Sequence, residues 1–229
     1  MRRVAGAMSD IAAFLAILEK GPAQRRGVFN PWSDHDERDL APRRQMPLRR
    51  RENMVAYLEA RAQSARVLLL GEAPSHRGCR FTGIAFCSEV ELTGKRDLVA
   101  RAPLALTSAA SGVKPVRERS AAVIWDELER MGCARAVVLW NAFPWHPHGE
   151  TVTTNRKPRL PEVAEGRAAL TALLSCFSHK LSIFAVGKVA EDALQRWNAA
   201  DCAGYIRHPA QGGEGKFRSQ FRLHVAAHL

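Results

Sequence analysis

Glu72, Asn141 and His208 each stand at or just after the end of a short apolar segment of this sequence. If these segments form parallel strands of one sheet, their carboxyl ends meet at a single edge, where the connecting loops leave a crevice. A carboxylate can stabilise a developing cation, a carboxamide can read a hydrogen-bonding edge, and an imidazole can donate to a developing anion. Each residue alone has a structural explanation, but the three together predict a binding or catalytic site.

The apolar segments are too short and too continuously hydrophobic for amphipathic helices, which predicts buried strands. They cover residues 67–70, 136–141, 181–186 and 203–207. Helical patterns alternate with them, at about residues 119–131, 161–177 and 188–197. This alternation indicates a single α/β domain over residues 67–229, with a central, mostly parallel four-stranded sheet flanked by helices.

The chain of 229 residues carries a formal net charge of +11, spread along its length. Such an excess favours a polyanionic partner such as nucleic acid, with solubility through surface arginine as the alternative. The five cysteines include no C-x-x-C pair, so we expect reduced thiols and neither a disulfide framework nor a zinc site. No apolar run is long enough to span a membrane. We therefore expect a cytoplasmic, nucleoid-associated protein without membrane contact.

Residues 1–66 lack the alternation of short apolar segments and helical patterns seen in the rest of the chain, and we expect them to form an N-terminal helical layer packed on the core. Helices are predicted near residues 9–20 and 52–63, joined by a basic, proline-containing connection over residues 21–51. Five arginines lie within residues 43–51. That segment is predicted to be either a flexible arm that touches DNA or an exposed arginine-rich turn.

Four fragments, in order, resemble the motifs of the uracil-DNA glycosylase superfamily. GEAPS at residues 71–75 is followed by GIAF at 83–86, WN at 140–141 and HPA at 208–210. The resemblance covers residues 67–215 and is closest to the subgroup whose first motif reads Gly-Glu-x-Pro-Gly. TTNRKP at residues 153–158 is also similar to the stretch after that subgroup's asparagine.

The resemblance implies a role for each site residue in breaking the bond between deoxyribose and uracil. Glu72 would hold the attacking water and stabilise the sugar cation, and His208 would hydrogen-bond O2 of the uracil anion. Asn141 would donate to O4 and accept from N3–H, a pattern that cytosine reverses. Phe86 would stack on the flipped base, with ordinary core packing as the alternative. The remaining residues predicted to line the base pocket are Gly71, Ala73 and Ser75.

The first motif departs from the best-known members of the superfamily. Those members carry an aspartate where this chain has Ala73, so Glu72 is the carboxylate of this motif that is left to act in catalysis. Ser75 stands where some members place a tyrosine that excludes the methyl group of thymine. Another group, such as His76 or Phe81, would have to exclude it, or the specificity for uracil is looser.

The closest subgroup holds a four-iron, four-sulfur cluster through cysteines that this chain lacks. Residues 1–66 contain no cysteine, and Trp145 stands four positions after Asn141, where that subgroup has a ligand. We therefore expect no cofactor and no bound metal, with Pro144 and Trp145 providing apolar packing instead. The pair His146 and His148 has no neighbouring carboxylate or cysteine and is more typical of a loop or a phosphate contact.

The last motif lacks the bulky wedge that many relatives place after His-Pro. Gln211 stands there instead and could enter the duplex, while Gly212 allows close approach to the DNA backbone. Lys216, Arg218 and, after the third strand, Lys188 are predicted phosphate contacts. A weak wedge predicts that single-stranded substrate is tolerated.

Together these features predict a monomeric, monofunctional DNA glycosylase. It would flip uracil out of single- or double-stranded DNA, hydrolyse the N-glycosidic bond, release free uracil and leave an abasic site. One alternative is a glycosylase for another deaminated base, such as hypoxanthine. The others are a protein whose histidine forms a lasting covalent link to the sugar, and a non-catalytic binder of uracil-containing or abasic DNA.

Overall fold

Four short parallel strands form the central sheet of the computed structural model, which describes residues 2–22, 25–100, 102, 104–108 and 115–229. The strands are β1 (Val67–Gly71), β2 (Val137–Asn141), β3 (Ser182–Val186) and β4 (Cys202–Ile206). Their order across the sheet is β2-β1-β3-β4, and each neighbouring pair is parallel. The predicted α/β fold and its four strands are confirmed, with bounds that differ by one residue.

The helices that flank the sheet are α1 (Arg2–Lys20), α2 (Met46–Glu59), α3 (Arg119–Arg130), α4 (Leu160–Ser175), α5 (Lys188–Trp197) and α6 (Glu214–Gln220). Helices α3 to α5 correspond to the helices predicted between the strands, and α1 and α2 overlap the two helices predicted in the N-terminal segment. Short helical turns at Cys79–Thr82, Glu89–Gly94 and Arg96–Val99 follow β1 and were not predicted. None of the described helices has the length and apolar character needed to cross a bilayer.

The N-terminal segment packs on the rest of the chain at two places. Helix α1 lies against α4. Val28–Phe29 pairs antiparallel with His146–Pro147, just beyond the carboxyl end of β2. The division of the chain after residue 66 stays a prediction.

Helix α2 begins at Met46, six residues earlier than predicted. Pro47 lies in its first turn, where a proline is tolerated because no helical hydrogen bond needs its missing N–H. Arg43–Gln45 forms a short 3₁₀ turn before the helix, and Arg50 is fully buried in an ion pair with Asp39. The segment 43–51 is therefore neither a free arm nor wholly an exposed turn, and that prediction was wrong.

Arginines inside the core account for part of the positive charge. Arg50, Arg61 and Arg80 are fully buried. The guanidinium group of Arg61 donates to five backbone carbonyl groups, including that of Val137 at the start of β2, and lies 3.8 Å from the ring centre of Tyr57. These cations hold segments of the fold together and cannot meet a polyanionic partner.

Candidate active site

Glycines at the ends of the two central strands make room for the candidate site. Gly71 ends β1 opposite Asn141, and Gly187 follows β3 beside His208. A Cβ atom on Gly71 would overlap the Phe86 ring and lie 2.9 Å from Oδ1 of Asn141, and one on Gly187 would lie 3.1 Å from Cβ of His208. The absence of side chains at these positions lets Asn141, Phe86 and His208 converge at the carboxyl edge of the sheet.

Phe86 is held in a strained conformation at this edge. Its φ angle is +50°, in the left-handed region that bulky residues rarely occupy. The indole Nε1 of Trp125 donates to its carbonyl oxygen at 2.8 Å and fixes the backbone. The ring of Phe86 is 6% exposed and lies 6.0 Å from the His208 ring, at a tilt of 40°. Strain of this kind is typical of functional sites, and the ring forms one wall of the crevice.

Asn141 is 2% exposed. Its carboxamide has no hydrogen-bond partner among the residues that the structure describes, although most buried polar groups have one. The donor and the acceptor of this amide are therefore available to a ligand.

His208 is held as a neutral hydrogen-bond donor. The backbone N–H of Ala210 donates to Nδ1 of His208 at 3.1 Å, so the proton of the neutral ring is on Nε2. Burial lowers the pKa of His208 to about 4, and the positive charge of Arg207 acts in the same direction. At neutral pH the imidazole is thus uncharged and can donate from Nε2.

Glu72 lies on a loop that runs beside the chain leaving β2. The carbonyl groups of Gly71 and Glu72 accept hydrogen bonds from the backbone N–H groups of Ala142 and Phe143, at 2.8 and 3.0 Å. Burial raises the pKa of the Glu72 carboxyl, and the positive charge of Lys157 partly opposes this increase. Lys157 belongs to the TTNRKP stretch, for which a resemblance but no role was predicted.

Ser75 contacts a carboxyl group that the motifs did not indicate. Its hydroxyl donates to Glu118 and accepts from the backbone N–H of Arg77 at 3.2 Å. Glu118 packs onto Gly78, where a Cβ atom would overlap its Oε2. Burial raises the pKa of Glu118 to about 7, although the Ser75 hydrogen bond opposes the shift. No local sequence signal pairs Glu118 with the first motif.

Phe81, one of the two residues predicted to exclude thymine, is buried, and the guanidinium groups of Arg38 and Arg80 lie 5.3 and 4.6 Å from its ring centre. The backbone N–H of His76 donates to Oδ1 of Asn155 at 2.9 Å. The stretch around Asn155 therefore holds the end of the first motif, a contact that the sequence did not indicate.

Ala73, in the middle of the first motif, is partly buried and packs against the core.

The predicted wedge loop follows His208 directly. Gln211 and Gly212 are exposed and adopt left-handed conformations, with φ angles of +52° and +74°. Lys216 is exposed on α6. Their roles in DNA binding stay predictions.

The other two predicted phosphate contacts already have carboxylate partners. Lys188 is exposed and pairs with Glu191 and Asp192, at 2.9 and 3.3 Å. Arg218 is partly buried and bridges Glu127 and Glu214, at 2.9 and 3.0 Å. Their contacts with DNA stay predictions.

The residues around Trp145 do not fit an iron–sulfur cluster. The Trp145 ring packs edge-on against Phe143, donates to the carbonyl of Leu18 at 3.0 Å and covers Gly21. None of these three neighbours carries a thiol. Within the described ranges, no group of three or more potential ligands is arranged to hold a metal ion.

Comparison with known proteins agrees with the fold and the motifs. The sequence profile of the Uracil DNA glycosylase superfamily matches residues 59–228. Among solved structures, wild-type SMUG2 from Pedobacter heparinus is similar over 95% of this chain and 97% of that chain, with a TM-score of 0.66. The sequence identity is 13%, so this likeness shows the fold alone. No curated protein matches the chain significantly. Because the profile covers most of the chain and includes all the ordered motifs, the chain belongs to the uracil DNA glycosylase superfamily and is a DNA glycosylase.

Proposed function

We propose that this DNA glycosylase hydrolyses the N-glycosidic bond of uracil flipped out of DNA and leaves an abasic site. The observation that carries the proposal is the convergence of an unpartnered Asn141 carboxamide, the Phe86 ring and the neutral imidazole of His208 at the carboxyl edge of the sheet. The proposed enzyme acts as a monomer and needs no cofactor.

Asn141 reads the base in this proposal. Uracil presents an acceptor at O4 and a donor at N3, which match the Nδ2 donor and the Oδ1 acceptor of a carboxamide. Cytosine reverses both positions and would leave each buried group facing a group of its own kind, at a cost of about 1–3 kcal/mol for each unmet group. Phe86 stacks on the face of the flipped base.

His208 stabilises the departing base. Uracil leaves as an anion whose charge is shared by O2, and a fixed N–H donor there acts most strongly when the charge develops. Because the pKa of His208 is about 4, the ring donates a hydrogen bond at neutral pH and does not act as a cationic acid.

Glu72 acts on the sugar. A carboxylate there stabilises the positive charge that develops on deoxyribose and orients the attacking water. With Ala73 in place of the aspartate of other members, the first motif has no second carboxylate to share this task.

Cations flank the two catalytic residues and suit the phosphates on either side of the flipped nucleotide. The charge of Lys157 acts on Glu72, and that of Arg207 acts on His208. Gln211 and Gly212, exposed on the loop after β4, and Lys216, exposed on α6, complete the residues proposed to contact DNA. Arg218, paired with two carboxylates, supports the loop more than it attracts phosphate.

The test uses labelled oligonucleotides that differ only in one base, which is uracil, hypoxanthine, cytosine or thymine. After incubation with excess protein, alkali cleaves any abasic site, and a parallel sample without alkali reports strand cleavage by the protein. We expect alkali-dependent cleavage of the uracil strand only. If the hypoxanthine strand were cleaved in preference, hypoxanthine and not uracil would be the substrate. If a protein–DNA adduct survived denaturation, the protein would capture the sugar covalently instead of hydrolysing the bond. Tight binding without cleavage of any strand would refute the enzyme proposal.

A further inference from the structure

His146 is a buried histidine that the proposed mechanism does not use. Its side chain is fully buried, and it lies in the short strand His146–Pro147, which follows the end of β2 at Asn141. Nδ1 lies 2.9 Å from the carbonyl oxygen of Pro74, and Nε2 lies 3.1 Å from that of Val152. The ring therefore connects the loop that carries Glu72 with the loop over residues 148–154.

The contact with Pro74 continues a ladder between two loops. The backbone N–H of Ala142 donates to Gly71, and that of Phe143 donates to Glu72. Pro144 has no N–H, so the backbone ladder stops there. The next contact between the two loops is made by the imidazole of His146, which faces the carbonyl oxygen of Pro74. Among the described residues no other group can donate to that carbonyl. The contact therefore fixes the first loop at Pro74, two residues after Glu72.

Only one of the two contacts can be a hydrogen bond when the ring is neutral. A neutral imidazole has one N–H, and both facing atoms are carbonyl acceptors. Burial lowers the pKa of His146 to about 4, and the charges of Arg80 and His148 add to this effect. The ring is therefore neutral near pH 7 and must carry its proton on one nitrogen.

Burial decides which nitrogen carries the proton. The contact with Pro74 is buried, whereas the contact with Val152 is only partly buried. Water can hydrate the carbonyl of Val152, but an unmet buried carbonyl at Pro74 would bear its full desolvation penalty. The distance to Pro74 is also the shorter of the two.

We propose that His146 is a positioning residue whose Nδ1–H, bonded to the carbonyl of Pro74, holds the loop that places Glu72 against the substrate. This inference rests on the proposed function for its effect on catalysis. The contact itself can be tested without substrate.

Two isosteric replacements separate the nitrogens. In H146N the amide Nδ2 reaches the place of Nδ1 and can still donate to Pro74, whereas in H146Q the amide Nε2 reaches the place of Nε2 and faces Val152. We expect H146N to excise uracil within about threefold of the wild-type rate, and H146Q to be about 10–100-fold slower in single turnover. The dissociation constant for uracil-containing DNA should change by less than about twofold in both, since neither variant removes a charge. Equal rates for the two variants would overturn the proposal.

Hydrogen exchange provides a readout that does not need activity. We expect the backbone amides of residues 72–76 to exchange faster in H146Q than in H146N, because the loop loses a tether. If wild-type protein excises no base, the proposed function fails while the exchange comparison still decides the role of His146. The same exchange in both variants would refute the positioning role. Should H146Q not fold, H146A removes both contacts and must be slower than H146N for the proposal to stand.

His179 offers a matched control. Its Nε2 lies 2.5 Å from the carbonyl oxygen of Ala65, before β1 and thus at the opposite edge of the sheet from Glu72. H179N, whose amide cannot reach the place of Nε2, should lower the temperature of unfolding and leave the rate of uracil excision unchanged. A loss of activity in H179N equal to that in H146Q would mean that lost stability, and not loop position, explains the effect.

Discussion

Replacing Gly71 with alanine should disrupt the base pocket while leaving every chemical group of the site in place. The added Cβ atom would overlap Cζ of Phe86, lie 2.5 Å from Cε2 of the same ring and lie 2.9 Å from Oδ1 of Asn141. Carbon atoms in contact prefer a separation of about 3.5–4 Å, so the ring must retreat by roughly 1 Å or more.

The ring of Phe86 has little freedom to retreat. Its backbone is already in the left-handed region, and its carbonyl is fixed by Trp125. Forcing a methyl group into such a site costs about 1–3 kcal/mol of stability. A shift of about 1 Å in the groups that hold the base lowers the rate of the chemical step by about 100-fold. We therefore expect G71A to fold with a lower unfolding temperature and to excise uracil about 100-fold more slowly.

The assay is single-turnover excision from a labelled uracil oligonucleotide, with thermal unfolding measured in parallel. Gly94 supplies the control, because a Cβ atom there would meet no other atom within 4 Å. G94A should match the wild type in excision rate and unfold at the same or a slightly higher temperature, because alanine restricts the unfolded chain more than glycine does. If G71A excised uracil at the wild-type rate, Phe86 and Asn141 would not form the base pocket.

The remaining predictions concern charge. Excision requires ionised Glu72 and neutral His208, so its rate should rise with pH. The inflection due to Glu72 should lie above the ordinary pKa of a glutamate, because burial raises the pKa of this carboxyl, and the inflection due to His208 should lie near pH 4. An inflection near pH 6.5 that persists in the residual activity of E72Q would contradict the lowered pKa of His208. K157A removes the charge that opposes the raised pKa of Glu72, so the inflection should move to higher pH, and the slope of log Kd against log salt should fall by about 0.7–0.9. If the inflection did not move, the charge of Lys157 would not act on Glu72. R218A leaves Glu127 with Arg222 alone and should lower the free energy of unfolding by about 1–2 kcal/mol in urea titrations, with little change in the salt slope. A reduced slope without loss of stability would restore Arg218 as a phosphate contact.

The sheet was predictable from the sequence because its strands are continuously buried. Every residue of β1 and β2 is buried, which leaves an uninterrupted apolar run that no surface helix would show. Parallel pairing then places the ends of the strands at one edge, and this alone brings Asn141 beside Gly71. The short turns between β1 and α3 could not be predicted, because four to six residues provide too few periods for a helical pattern.

Charge was harder to assign from the sequence. The net charge favoured a polyanionic partner, but Arg50, Arg61 and Arg80 are enclosed in the core. A buried arginine that donates to backbone carbonyls looks the same in a sequence as one that meets phosphate. Only the folded chain distinguishes the two.

The roles of the residues that support the site also could not be predicted from the sequence. Glu72, Asn141 and His208 stand at strand ends, where polar residues after apolar runs can be recognised. Lys157 and His146 act on the first motif from segments more than 70 residues away, through contacts that no local pattern encodes.

The single-turnover release of free uracil from a one-uracil oligonucleotide, compared between the wild type and E72Q, tests the proposed role of Glu72 most directly. The carboxamide of E72Q keeps the size of Glu72 and loses its charge. The wild type should release uracil and leave an alkali-labile site, and E72Q should bind the same DNA but release uracil about 100–1,000-fold more slowly. Release at equal rates by the two proteins, or no release by the wild type, would contradict the claim that Glu72 drives uracil excision at this strand-end site.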